Sequence, residues 1–247
     1  MTPAALSALS VRSPVDGAHL AELPIQQEAE VREAVARARA AQRGWAALSA
    51  TDRARPMRRL AAVLADEAEE IAGGIRAETG KPLTEALAEV LVSVDLLRYY
   101  ARVAARHLAP RRTGTGWLLS KSGRVEREPY GVVGAITPWN YPFIIAMDCV
   151  TPALFAGNGV VIKHSEFTPV TTLRIPELCA RAGIPAELVQ VVTGDGSTGR
   201  SLIGGGVDRV VFTGSTATGR KVMEAASHTL TPVTLELGGK DAALVLE

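Results

Sequence analysis

Gly131 to Ile162 reads GVVGAITPWNYPFIIAMDCVTPALFAGNGVVI and carries one ionised side chain, Asp148. The length and apolar character invite a membrane span. However, Pro138, Pro142, Pro152, Gly157 and Asn158 interrupt the stretch, and Asn140 in lipid would have no partner. The order of its parts fits instead a buried strand over 131–136, a proline-locked loop, a helix over 144–156 and a second buried strand over 160–162. Two nearly continuous apolar strands joined by a helix are the unit of a parallel sheet covered on both faces.

The same alternation continues downstream. Leu188 to Val192, Val210 to Thr213, Val233 to Leu237 and Ala242 to Leu246 have the composition of further strands, and Pro169 to Ala182, Thr198 to Ile203 and Thr216 to Ala226 that of helices. The expected fold class is α/β: a Rossmann-like, mostly parallel sheet with flanking helices, the architecture that binds nucleotides at the carboxyl ends of its strands. Upstream, residues 7 to 25 form two short extended segments around the turn Pro14 to Gly17, and three amphipathic helices follow. The first covers Glu28 to Leu48. The second runs from a cap at Thr51 to Gly80, and the third from Pro82 with Leu83, Leu87, Val90, Val94 and Leu97 aligned. Their arginines and glutamates are expected to form solvated faces without a site. Residues 110–128, with Gly114, Gly116 and Gly123 among alternating residues such as Trp117, Leu119 and Val125, suggest a protruding β-hairpin, either a subunit contact or a bland surface ribbon.

Composition excludes several functions. The chain has 247 residues, 47% hydrophobic and 21% charged, with a formal net charge of +1 and no long run of like charge. Neither a nucleic-acid surface nor an anionic membrane is therefore expected, and small molecules are the expected partners. Two cysteines in a chain too large to need stapling suit a reducing compartment, and no secretory signal is read at Met1 to Arg12, so the expected location is cytoplasmic. No cluster of His, Cys and carboxylates has metal-ligand spacing.

Five segments have residues suited to chemistry, and each also has a bland reading. Val210 to Gly219 runs a strand into FTGSTATG, where a helix N-terminus and small residues can admit a diphosphate; an ordinary strand-helix turn explains the same residues. Thr193 to Gly199 repeats that logic. Lys163, His164, Ser165 and Glu166 follow a strand, where a lysine and a carboxylate can grip ribose hydroxyls or make a surface ion pair, and where a histidine is more often a loop residue than a ligand. The Asn140 amide can donate to an oxyanion or cap the helix that follows. Glu236, between Leu235 and Leu237 and next to Gly238 and Gly239, is either a general base or an edge glutamate facing solvent.

Taken in chain order, PWNYP (138–142), KHSEFTP (163–169), FTGSTATG (212–219) and LELGGK (235–240) resemble the N-terminal half of the aldehyde dehydrogenase superfamily, and the likeness spans nearly the whole chain. The resemblance implies Asn140 as the oxyanion donor and Ile136, Thr137, Pro138 and Trp139 at the nicotinamide end of a cofactor site. It implies Lys163 and Glu166, with Ser165 between them, at the adenosine ribose, and Gly199 beside the adenine. Gly214 and Ser215 match the diphosphate turn and Gly219 its closing glycine. Glu236 matches the glutamate that activates water, followed by Leu237 and Gly238 at the nicotinamide. His164 stands where that segment usually has proline.

The implied activity is NAD(P)-dependent oxidation of an aldehyde through a cysteine thiohemiacetal. The implied cofactor is NAD or NADP, with NAD favoured because the Glu166 carboxylate repels a 2′-phosphate. The nucleophile is expected about thirty residues or more beyond the glutamate, whereas residues 237–247 are the 11 that follow Glu236. Cys149 and Cys179 do not match its position, and both are expected to be buried and inert. The expectation is thus one NAD(P)-binding domain over 1–247, with 110–128 as an oligomerisation hairpin and the catalytic domain missing. Such a chain would be inactive alone, partnered by copies of itself or by a complementing C-terminal polypeptide. The alternative is a non-catalytic dinucleotide-binding or assembly module.

Overall fold

A computed structural model describes residues 8–117 and 120–245. A five-stranded parallel sheet is built from β5 (Val132–Thr137), β6 (Gly159–His164), β7 (Val189–Val192), β8 (Arg209–Gly214) and β9 (Val233–Leu237). The spatial order is β7-β6-β5-β8-β9. The chain starts in the middle, winds outward through β6 and β7, and returns to lay β8 on the other side of β5. That reversal opens a crevice at the carboxyl ends of β5 and β8.

Strand alternation divides the sheet into two cores. Val132, Val161, Val192, Val210 and Phe212 pack with α1 (Glu28–Ala47), α8 (Gly196–Gly204) and α9 (Thr216–Ser227). Val133, Ala135, Val160, Ile162 and Val189 face α2 (Ala50–Asp66), α3 (Ala68–Thr79), α4 (Leu83–Leu108), α5 (Ile144–Phe155) and α7 (Ile175–Arg181). Both faces are therefore covered over β5 and β6, whose residues are nearly all buried, as their apolar runs require, whereas β8 and β9 are more open. β1 (Ala8–Arg12) and β2 (His19–Pro24) are the two expected extended segments and pair antiparallel, and β3 (Arg111–Thr113) and β4 (Gly123–Val125) form the hairpin, with Trp117 87% exposed beyond β3. The first residue of the 7–25 segment and Leu119 of the hairpin lie outside the described residues. Among the described residues no helix is long and apolar enough to cross a membrane.

Several expectations are corrected. The second helix is two: α2 is capped by Ser49, whose hydroxyl accepts from the Asp52 amide at 3.1 Å, rather than by Thr51, and the chain breaks at Glu67. Glu69 and Glu70 then occupy the first turn of α3, where the helix dipole favours anions. The helix expected over Pro169 to Ala182 is divided at Arg174 into α6 (Pro169–Leu173) and α7, because Pro176 lacks the amide that a continuous helix needs there. On α4, Leu83 is exposed and the buried face runs through Ala86, Val90, Ser93 and Leu97. Ala242 to Val245 carry no strand among the described residues and are exposed, and Leu246 lies outside the described residues.

The helical region is not a set of solvated charges either. Arg53, Glu78 and Glu89 are 7%, 4% and 2% exposed. Arg53 donates from Nε to Phe155 O at 3.0 Å and from Nη1 to Leu48 O, holding the end of α5. Glu78 accepts from the amides of Val170 and Thr171 and from the Thr171 hydroxyl, and so caps α6. A buried charge is tolerable only with such partners.

Candidate functional site

The ends of β5, β6 and β8 and the first turns of α8 and α9 surround a cleft of about 440 Å³. Parallel register brings its walls together: Ile136 lies beside both Lys163 and Phe212. Ile136, Thr137, Pro138 and Trp139 line one end, while Lys163, Ser165, Glu166, Gly199, Gly214 and Ser215 line the rest. Ten of the residues singled out in the sequence, from four separate segments, therefore meet in one crevice.

Lys163 is 5% exposed, with its ammonium 3.3 Å from Glu166 Oε2; the glutamate side chain is more open, at 39%. At Gly199 an added methyl would touch only Ile136 and Lys163, at 3.9 and 4.0 Å, so the helix backbone borders open cleft. Two helices begin here, and their caps differ. At α8 the Asp195 carboxylate accepts from the Ser197 amide at 2.8 Å and hydroxyl at 2.6 Å, bonds that hold it below the usual carboxylate range. At α9 the neutral Ser215 hydroxyl accepts from the Thr218 amide, and among the described residues no protein acceptor meets the amides of Thr216 and Ala217. An anion is thus repelled at α8 and attracted at α9.

The other sequence candidates lie outside this lining. Gly219 is buried in α9, where an added methyl would stand 2.7 Å from Leu237 Cδ2, so its lack of a side chain lets Leu237 pack down. Leu237 and Gly238 are exposed at the end of β9. Glu236 lies on that edge strand, opposite Thr213, and faces solvent. Asn140 is exposed and does not cap α5. Glu89 does so from α4: its Oε2 accepts from the amides of Phe143 at 3.2 Å and Ile144 at 3.3 Å.

Several residues escaped sequence reasoning. Arg200, Thr218 and Lys221 line the cleft, and among the described residues neither cation has an ion-pair partner. Their positions one turn into α8 and α9 were the available signal, because a residue there can reach a ligand at the helix N-terminus. His164, expected in a loop, is the last residue of β6 and 2% exposed, between Thr137 and Thr168. The two thiols are buried in α5 and α7, and burial pushes both Cys149 and Cys179 up to about 12.

A sequence profile described as the aldehyde dehydrogenase family matches residues 2–247. The chain is 40% identical over 244 residues to a 4,4'-diapolycopene aldehyde oxidase of Methylomonas sp, covering 98% of this chain and 46% of that protein. An NAD-dependent aldehyde dehydrogenase from Sinorhizobium meliloti superposes with a TM-score of 0.89 at 40% identity, covering 95% of this chain and 47% of that one. An E. coli NADP-dependent enzyme gives a TM-score of 0.89 at 35% identity, covering 94% and 48%. The chain spans about half the length of these relatives. With these motifs set on this sheet and a profile match across nearly its whole length, the chain belongs to the aldehyde dehydrogenase family.

Proposed function

We propose that these residues are the dinucleotide-binding part of an NAD(P)-dependent aldehyde dehydrogenase that oxidises an aldehyde to a carboxylic acid. The observation that carries the reading is the pair of amides at the start of α9, Thr216 and Ala217, which meet no acceptor among the described residues and open on the cleft that also holds Lys163 and Glu166. Those amides suit a diphosphate, Lys163 and Glu166 the adenosine ribose, Gly199 the adenine, and the 136–139 wall the nicotinamide. Gly214 and Ser215 bring the backbone close, and Gly219 lets Leu237 and Gly238 border the nicotinamide end. When bound, the dinucleotide supplies the hydride acceptor.

Asn140 donates its side-chain amide to the oxygen on which charge develops, an effect of about 3 to 4 kcal/mol per donor. Glu236 takes the proton from the hydrolytic water. Neither buried thiol can serve as nucleophile, so the attacking thiolate comes from outside these residues and the 247-residue polypeptide is inactive alone. Glu166 favours NAD over NADP. The exposed hairpin, with Trp117 beyond β3, makes a subunit contact.

Titration calorimetry of the chain with NAD+ and NADP+ tests the reading. Saturable binding that weakens on Lys163→Ala is expected, followed by aldehyde oxidation once a polypeptide carrying the cysteine half is added. Absence of binding to either dinucleotide would overturn it, as would turnover by the chain alone that disappears on Cys149→Ser.

A further inference from the structure

The two loops that wall the cleft leave the sheet side by side. Thr137 and His164 are register partners at the ends of β5 and β6, and beyond them the chains run into Pro138-Trp139 and Ser165-Glu166. No strand ladder holds either loop past that point, and Pro138 has no amide to donate. Side chains make the connection. Thr137 Oγ1 lies 2.6 Å from His164 Nδ1, His164 Nε2 lies 2.9 Å from Thr168 Oγ1, and the Thr168 hydroxyl donates to Trp139 O at 3.3 Å. Thr137, His164 and Thr168 are each no more than 3% exposed.

The proton positions in this chain follow from counting donors. Thr168 has one hydroxyl proton, and Trp139 O takes it, so Thr168 accepts from an Nε2–H. A neutral imidazole protonated at Nε2 has a bare Nδ1, which accepts from the Thr137 hydroxyl. Three bonds then run in one direction, from Thr137 through His164 and Thr168 to the carbonyl of Trp139. Both hydroxyls are turned away from the cleft, whose lining Thr137 and Trp139 nevertheless form. Burial and the neighbouring Lys163 keep the ring neutral, pushing its pKa down to about 3.

We propose that His164 is a positioning residue that locks the 137–139 wall against β6 and so sets the shape of the nicotinamide end of the cleft, without touching the ligand itself. The proposal rests on reading the cleft as a dinucleotide site. It assigns to His164 a role distinct from that of Lys163, which is held in β6 by its strand partners Ile136 and Val192 and keeps its place whether or not the imidazole is present.

The test compares NAD+ with ADP-ribose, which lacks the nicotinamide ring, by titration calorimetry on the full chain and on His164→Leu and Thr168→Val. Both variants break the relay, and the second is nearly isosteric. The expected result is NAD+ binding weakened about tenfold, the worth of one to two neutral hydrogen bonds, with ADP-ribose binding changed by no more than about twofold. Equal weakening of both ligands would assign His164 a general structural role and overturn the proposal; unchanged NAD+ binding would do the same. Should either variant fail to fold, nitrogen NMR of the unaltered protein decides the matter, because a proton on Nδ1 near neutral pH contradicts the relay. If the unaltered chain binds neither ligand, the reading of the cleft fails instead, and the NMR result still judges the relay.

Discussion

Lys81 and Glu89 meet at 2.6 Å behind the Asn140 loop, with the lysine 3.7 Å from the centre of the Tyr141 ring. The second oxygen of Glu89 takes the amides of Phe143 and Ile144. One buried carboxylate thereby ties α4 to the start of α5 and to the loop between β5 and α5.

Replacing Glu89 with alanine leaves an ammonium and two helix amides without an acceptor. A loss of about 3 kcal/mol is expected, as when one partner of a buried pair is removed. Glu89→Gln should cost less, because its carbonyl oxygen can still accept. Denaturant unfolding curves measure both, and equal stability of Glu89→Ala and the unaltered chain would contradict this account.

Cys149 and Cys179 should resist thiol reagents in the folded protein. With both thiols pushed up to about 12, the thiolate fraction at pH 8 is about one in ten thousand before burial limits access further. Ellman's reagent should label two thiols only after denaturation, and rapid labelling of the native chain would refute the assignment of both as inert.

His164 predicts a pH dependence of stability. Its pKa falls from 6.5 to about 3 on folding, first through burial and then through Lys163. The unfolded state therefore binds the extra proton between those values. The stability linked to this group is complete above pH 6.5 and declines toward pH 3 by about 1.4 kcal/mol per pH unit. Unfolding midpoints for the chain and for His164→Gln, which cannot titrate, should converge in slope once this contribution is subtracted. Parallel profiles for the two proteins would show that the histidine is not neutralised by folding.

Cofactor choice should respond to the charges in the cleft. Glu166→Gln removes the carboxylate beside Lys163 and should raise NADP+ affinity relative to NAD+ by about tenfold. Arg200→Ala removes a cation that has no ion-pair partner among the described residues and should weaken NADP+ more than NAD+. Competition calorimetry reads both ratios, and no change in either would place the adenosine ribose elsewhere.

The sheet was legible because each strand is short, apolar and bounded by turn residues, so burial on both faces left one arrangement for Val132 to Thr137 and Gly159 to His164. Ten cleft residues were legible because their segments end strands of that sheet. Glu89, Glu78 and Arg53 were not, since a charge on an amphipathic helix reads as solvated whether or not a distant amide or carbonyl awaits it. Val170, Thr171 and Phe155 lie between 92 and 102 residues away along the chain from the side chains that bind them. His164 failed for the same reason, as its partner Thr137 lies 27 residues upstream.

Hydrophobic periodicity and turn chemistry, both local properties, determined by themselves that a parallel sheet forms after Tyr130 and that small and charged residues gather at its carboxyl edge. Tertiary structure alone decided which charges are buried and that Asn140 and Glu236 stand outside the cleft. Those outcomes depend on which distant elements pack together, and a backbone group far along the chain that will meet a side chain leaves no signature in the residues beside that side chain.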